Sequence, residues 1–181
     1  ELVRHEFNFG VSMTQASSLS GKAQSIYRNR VKELFNFVTL GFYWAARDEK
    51  NDLTAYNRMM RRKVEWAVAN DIKIKGHPLL WHESLPKWVV DFQDPVALEK
   101  IIFKRMQDLL LNYHEIQYWD VYNEAIAPFK NHVTPSGVTR WITYKGGIYP
   151  AMLELYAFAN KTAPNRSEER RVGKECRSRW S

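Results

Sequence analysis

Four short apolar runs begin near residues 7, 37, 72 and 118, and each gives way to a stretch with helical spacing of its apolar side chains. Phe7 to Val11 reads as a first strand, with Gly10 inside it. Tyr27, Val31, Leu34 and Phe35 then recur three or four apart. Phe37-Val38-Thr39-Leu40 is a second strand, and Met60, Val64, Ala67 and Val68 mark a second helix. Ile72 to His77 is a third strand. Asp94-Pro95 opens the next helix, a capping carboxylate followed by proline at the first helical position. Ile102, Met106, Leu109, Leu110 and Tyr113 carry that helix. Gln117 to Val121 is a fourth strand. Pro150 starts a fourth helix with Met152, Leu155, Tyr156 and Ala159 on one face.

Strands that alternate with helices predict a parallel sheet, because parallel neighbours need a crossover and a helix supplies it. Each unit takes about 30 to 45 residues, whereas a complete eight-unit barrel needs about 250. The chain has 181 residues. The expected fold is therefore α/β, a partial (β/α)8 barrel of about the first four βα units. A small open α/β sheet is the alternative. No glycine-rich phosphate loop follows any strand, which argues against a dinucleotide or nucleotide fold.

The chain divides into two segments. Residues 1–165 hold the periodic units. Residues 166–181 are nearly devoid of apolar side chains and have no period. They resemble the translation of adapter or vector DNA and are set aside from the fold as a disordered tail. This division decides how the net charge of +7 is read. The tail holds six basic and three acidic residues, so part of the surplus sits there. The remaining charges are spread along helix faces, which argues against a nucleic-acid partner. No apolar run approaches the roughly 18 residues of a membrane span, and Glu1 to Phe7 is not a signal peptide. Cys176 is the single cysteine, so no disulfide forms within the chain.

Two segments carry the chemistry. Tyr118-Trp119-Asp120-Val121-Tyr122-Asn123-Glu124-Ala125 is an aromatic and β-branched strand that ends in an amide and a carboxylic acid. A carboxylate at the end of a buried strand is costly to desolvate, and chemistry is a common reason for placing one there. Upstream lies Gly76-His77-Pro78-Leu79-Leu80-Trp81-His82, an imidazole and indole cluster. His77, His82, His114 and His132 lack the spacing of a metal motif, so no metal and no cofactor are expected. The chain has seven tryptophans, and flat rings of this kind stack on sugar faces.

Together the two segments resemble the third and fourth strands of glycoside hydrolase family 10, the xylanase family. That family has Gly-His-x-Leu-x-Trp-His followed by Trp-Asp-x-x-Asn-Glu. The resemblance runs over roughly residues 5–165. It implies Glu124 as the general acid/base and Asn123 as a hydrogen-bond partner of the sugar 2-hydroxyl. It implies that His77, Trp81 and His82 line the sugar subsite beside the scissile bond. Leu85, Pro86 and Trp88 resemble the family's continuation and pack the loop. Asp120 reads as a structural partner of a neighbouring imidazole or backbone group.

This sequence departs from the family in two places. The family commonly carries Glu-Asn-x-Met-Lys-Trp after the second strand, where its Glu, Asn and Lys hold sugars. Here Thr39-Leu40-Gly41-Phe42-Tyr43-Trp44 stands there. Only Trp44 is kept, as a substrate-binding candidate, and Tyr43 replaces the lysine. The family's nucleophile is a glutamate on the seventh strand, which falls beyond residue 165.

The resemblance therefore implies retaining hydrolysis of internal β-1,4 bonds in xylan or a related β-glycan by a full-length parent. The present chain is expected to be inactive and to self-associate through its open sheet edge. Its partner is a xylan-like polysaccharide or oligosaccharide, and a secreted or cell-surface setting is expected. A non-catalytic carbohydrate-binding module is the alternative function.

Two large apolar side chains in the tail, Val172 and Trp180, cannot offset the entropy of ordering sixteen backbones. Trypsin is expected to cut at Arg170 and Arg171 before it cuts the body. Mass spectrometry of a brief digest checks this, and resistance of those two arginines contradicts the division at residue 165.

Overall fold

The four strands pair side by side in chain order, all parallel. The computed structural model describes residues 7–13, 19–45, 53–125 and 135–164. The expectations for Glu1 to Glu6, for His132 and for the tail lie outside the described residues. The elements are β1 (Gly10–Ser12), α1 (Gly21–Leu34), β2 (Phe37–Gly41), α2 (Leu53–Ala69), β3 (Lys73–His77), α3 (Lys87–Asp91), α4 (Pro95–Asn112), β4 (Tyr118–Trp119), α5 (Gly137–Tyr144) and α6 (Ile148–Thr162). A doubly wound open sheet reverses its strand order at a switch point. The order β1-β2-β3-β4 has no reversal, which is how a barrel winds.

The pleat gives the sheet two different faces. Val38 and Leu40 of β2 and Ile74 and Gly76 of β3 are buried. They join the helix residues Val64, Ile102 and Met106 in one apolar core. Thr39, Lys75 and His77 point the other way and are half-buried. That second face corresponds to the interior of a barrel.

Trp119 fixes β4 against β3. Its indole lies on the backbone of Gly76, where a Cβ would fall 2.3 Å from the ring. Phe42 packs 4.9 Å from Trp119 and 4.9 Å from Tyr113, closing the same layer. Arg105, on α4, is buried and donates to the Phe42 carbonyl at 2.5 Å. The capping of α4 is as expected: the Asp94 carboxylate accepts from the amides of Val96 and Ala97.

Several boundaries differ from expectation. Strand β1 begins at Gly10 rather than Phe7, because only Gly10 to Ser12 find partners in β2. Phe7 and Phe9 are 73% and 56% exposed, and Phe9 stacks on Phe35 at 5.2 Å instead of entering the sheet. Leu34 and Val68 sit on the solvent flanks of their helices. Phe35 follows α1 as its C-cap. Strand β4 is confined to Tyr118–Trp119. Its pairing still continues past the strand, with Leu79 and Leu80 donating to the carbonyls of Asp120 and Val121.

Helix α6 starts two residues before Pro150, which occupies the first turn, where its missing N–H leaves nothing unpaired. Helices α3 and α5 were not anticipated. Ser136 caps α5 in a reciprocal box with Thr139, and Gly137 lets the start of α5 lie against the Val89 carbonyl. Trp141 of α5 is fully buried and donates its indole N–H to Glu99 of α4 at 2.8 Å.

Replacing Gly76 with alanine is expected to destabilise the fold by about 1–3 kcal/mol, the range for overpacking a filled core. Urea denaturation followed by tryptophan fluorescence measures it. An unchanged midpoint would show that the Trp119 contact is not a constraint.

Candidate active site

The two motifs meet because the β3–β4 pairing carries on beyond both strands. Asp120 donates its amide to the Gly76 carbonyl, Leu79 donates to Asp120, and Asn123 donates to Leu80. An isolated bridge joins Leu80 to Tyr122. These bonds set the chain from 78 to 82 alongside the chain from 120 to 124, at the C-terminal end of the sheet. Barrel active sites are built at that end.

Trp81 and Glu124 are brought together: the indole N–H of Trp81 donates to Glu124 Oε2 at 3.3 Å. Glu124 is exposed, so its carboxylate is not desolvated as the strand-end reading expected. The reason is position, since the residue lies past β4 on the open side of the sheet. Its backbone is left-handed, with φ of 54°. A residue with a β-carbon rarely adopts this conformation, and such outliers gather at functional sites. Asn123 beside it is half-buried and held through its own amide.

His77 is joined to Asp120, with Nδ1 2.7 Å from Oδ2. Lys75 reaches the other oxygen, with Nζ 2.8 Å from Oδ1. Burial pushes the Asp120 pKa upward, but the hydrogen bonds and charges of His77 and Lys75 outweigh it and hold the carboxyl below its ordinary value. Asp120 therefore sits as the partner of an imidazole, the role read for it in the sequence.

His82 and Trp44 are placed differently from the rest. His82 is only 3% exposed. Its ring is stacked on Tyr122 and its Nδ1 lies 3.2 Å from the Tyr122 hydroxyl. Burial raises the pKa of that phenol. Trp44 was expected to bind substrate, yet it is 5% exposed. The Arg105 guanidinium covers its ring at 5.1 Å and Trp88 meets it edge-on at 5.8 Å. Although mostly buried, it is among the residues that line a small recess beside Tyr43 and Trp81. Tyr43 beside it is half-buried, 5.7 Å from the His77 ring and 6.0 Å from Trp81. The recess lies between Tyr43, Pro78, Trp81 and Glu83.

Tyr43 and Lys75 are the residues that sequence reasoning left out of the site. The signal for Lys75 was its spacing of two from His77, which puts both on one face of a strand. Among the described residues, no group of three histidine, cysteine or carboxylate side chains is arranged to hold a metal ion. Among the same residues, no helix is long and apolar enough to cross a membrane.

Burial lowers the pKa of His82, and the charges of Glu83 and Glu124 offset this only in part. The unfolded chain thus takes up the proton more readily than the folded one. The stability that follows is complete above the unfolded value of about 6.5 and is lost as pH falls through the lower folded value. The thermal midpoint is expected to drop on acidification from about pH 7 to about pH 5. The slope should flatten in His82→Gln, followed by circular dichroism. An equal slope in the variant would assign the loss to other groups.

A family model described as Glycosyl hydrolase family 10 matches residues 1–165. Endo-1,4-beta-xylanase A of Caldicellulosiruptor saccharolyticus is 29% identical over 127 residues, which are 66% of this chain and 36% of that protein. Endo-1,4-beta-xylanase B of Paenibacillus barcinonensis is 29% identical over 108 residues, 56% of this chain and 31% of that one. Among solved structures, an endoxylanase retrieved from sugarcane soil metagenome matches with a TM-score of 0.67 at 21% identity, covering 88% of this chain and 46% of its own. A family 10 structure from Paenibacillus barcinonensis matches with a TM-score of 0.65 at 21% identity, covering 88% and 49%. The chain spans about a third of those curated relatives and just under half of those solved chains. The fold is that of about the first four βα units of a (β/α)8 barrel, and the chain belongs to glycosyl hydrolase family 10.

Proposed function

We propose that these residues supply the acid/base half of an active site that hydrolyses internal β-1,4 bonds in xylan or a closely related β-glycan, with retention. The observation that carries this reading is the pairing of Trp81 with Glu124 at the C-terminal end of the sheet, on a left-handed backbone. Two carboxylates stand near that end of β4, and their surroundings separate them. Asp120 is engaged by Lys75 and His77. Glu124 is exposed and accepts the Trp81 indole N–H. A group that must give a proton to a leaving oxygen and take one from water needs such access. Asn123, His77, Trp81 and Tyr43 surround the place where the sugar would lie.

The endo-xylanases that match this chain support the substrate class, as does a matching xylanase A solved in complex with xylopentaose. A retaining mechanism needs a second carboxylate about 5–5.5 Å across the bond. Asp120, already paired, does not serve, so the nucleophile has to come from beyond the described strands. The proposed setting is secreted or cell-surface, where the polymer is found. The outer edge of β4 pairs with no further strand among the described residues. Unpaired edges template association, so the 181-residue chain alone is expected to self-associate, to bind xylo-oligosaccharide and not to hydrolyse it.

In a full-length protein carrying these residues, Glu124→Gln is expected to slow xylan hydrolysis by roughly 10²–10⁴-fold. An aryl xylobioside, whose leaving group needs no proton, should lose far less in the first step. Initial rates on both substrates make the test, and equal rates on xylan for the variant and the parent would refute the role of Glu124. Turnover of xylan by the 181-residue chain by itself would refute the need for a second carboxylate from elsewhere.

A further inference from the structure

Lys75, Asp120 and His77 form a chain of three polar groups on the barrel-interior face of the sheet. Lys75 and His77 are two residues apart on β3, so the pleat puts them on one side. Asp120 follows β4 and divides its two oxygens between them, Oδ1 at 2.8 Å from Lys75 Nζ and Oδ2 at 2.7 Å from His77 Nδ1. The lysine and aspartate side chains are 25% and 23% exposed and the imidazole 20%.

The donor inventory of these groups settles their roles. A lysine ammonium only donates, and an ionised carboxylate only accepts. A neutral imidazole facing that carboxylate must therefore carry its proton on Nδ1, which leaves the lone pair on Nε2. We infer that Asp120 is a positioning residue: its carboxylate, anchored by Lys75, decides which nitrogen of neutral His77 bears the proton. The tautomer so fixed makes Nε2 a hydrogen-bond acceptor, which suits a sugar hydroxyl. That last use rests on the proposed reading of the site as a glycan cleft, whereas the control of the tautomer does not.

The assignment has a consequence that separates it from simple packing. In Asp120→Asn the side chain has one accepting oxygen and one donating nitrogen. Lys75 can only donate, so it claims the oxygen and turns the amide N–H₂ toward His77. Nδ1 must then accept, and the proton moves to Nε2. A triad with aspartate changed to asparagine fails for this reason, holding the wrong tautomer in an intact geometry. If Lys75 is removed as well, nothing fixes the amide. It can rotate and present either its oxygen or its nitrogen to His77, so both tautomers become populated.

Histidine-labelled 181-residue chain is examined by long-range ¹H–¹⁵N spectroscopy at about pH 8, where an ordinary imidazole is neutral. His77 should show Nδ1–H in the parent, Nε2–H in Asp120→Asn, and both forms together in Lys75→Met/Asp120→Asn. Lys75→Arg/Asp120→Asn, which keeps a donor-only cation, should hold the swapped form. Xylohexaose titrated into the same samples should bind about tenfold more weakly in Asp120→Asn, the scale of one hydrogen bond turned donor to donor. Part of that loss should be recovered in the double variant that lacks the lysine.

An Nε2–H tautomer in the parent overturns the inference without any variant having to fold. So does a tautomer unmoved by Asp120→Asn, or a Lys75→Met/Asp120→Asn variant as fully swapped as Asp120→Asn. A swap with xylohexaose binding unchanged overturns the placement of His77 in a sugar site and leaves the action of Asp120 standing.

Discussion

The indole of Trp119 resting on Gly76 is the contact from which the rest of the C-terminal end of the sheet follows. A glycine in the middle of a strand weakens it unless something uses the vacated space. Here Trp119 uses it, lying where a methyl group would stand. With the indole seated, β4 has one register against β3, and Asp120 comes level with the side of β3 that carries Lys75 and His77. The same register carries forward to Asn123 on Leu80, and so delivers Glu124 to Trp81. Phe42 and Arg105 brace the layer from the helix side. The site is thus positioned by an apolar contact on the opposite face of the strand from its chemistry.

Charge is handled differently on the two sides of β4. On the barrel-interior face, one carboxylate is shared between a lysine and an imidazole, an arrangement in which each half-buried group has a partner. Past the end of the strand, the second carboxylate is left open to solvent with an indole N–H beside it. Two acidic side chains four residues apart thereby come to stand in opposite surroundings, one paired and one open. The aromatic groups serve both: Tyr43 touches His77 on one side and Trp81 on the other.

What could be read from the sequence was what lies contiguous along the chain. The strand–helix rhythm, the cap at Asp94 and the clustering of His77, Trp81, Asn123 and Glu124 in two segments depend on neighbours in sequence. The start of β1 was misjudged because Phe7 and Phe9 look like strand residues, whereas a strand is defined by its partner, and only Gly10 to Ser12 have one. Helix α5, eight residues long, is too short for an apolar period to emerge, although its Ser136–Thr139 box is local. Trp44 was a substrate-binding candidate through the family resemblance, but how far it is covered cannot be read from residue type. It is a side chain of α4, Arg105, sixty-odd positions away, that covers it. Tyr43 and Lys75 escaped for the same reason, since their roles exist only once strands stand side by side.

The left-handed backbone at Glu124 sets chemistry and durability against each other. A residue with a β-carbon gives up about 1–2 kcal/mol in that conformation, glycine gives up nothing, and asparagine is several-fold enriched there. Selection for heat resistance alone would therefore reward glycine at position 124, and a library screened only for survival on heating would drift toward molecules that keep the fold and lose the carboxylate beside Trp81.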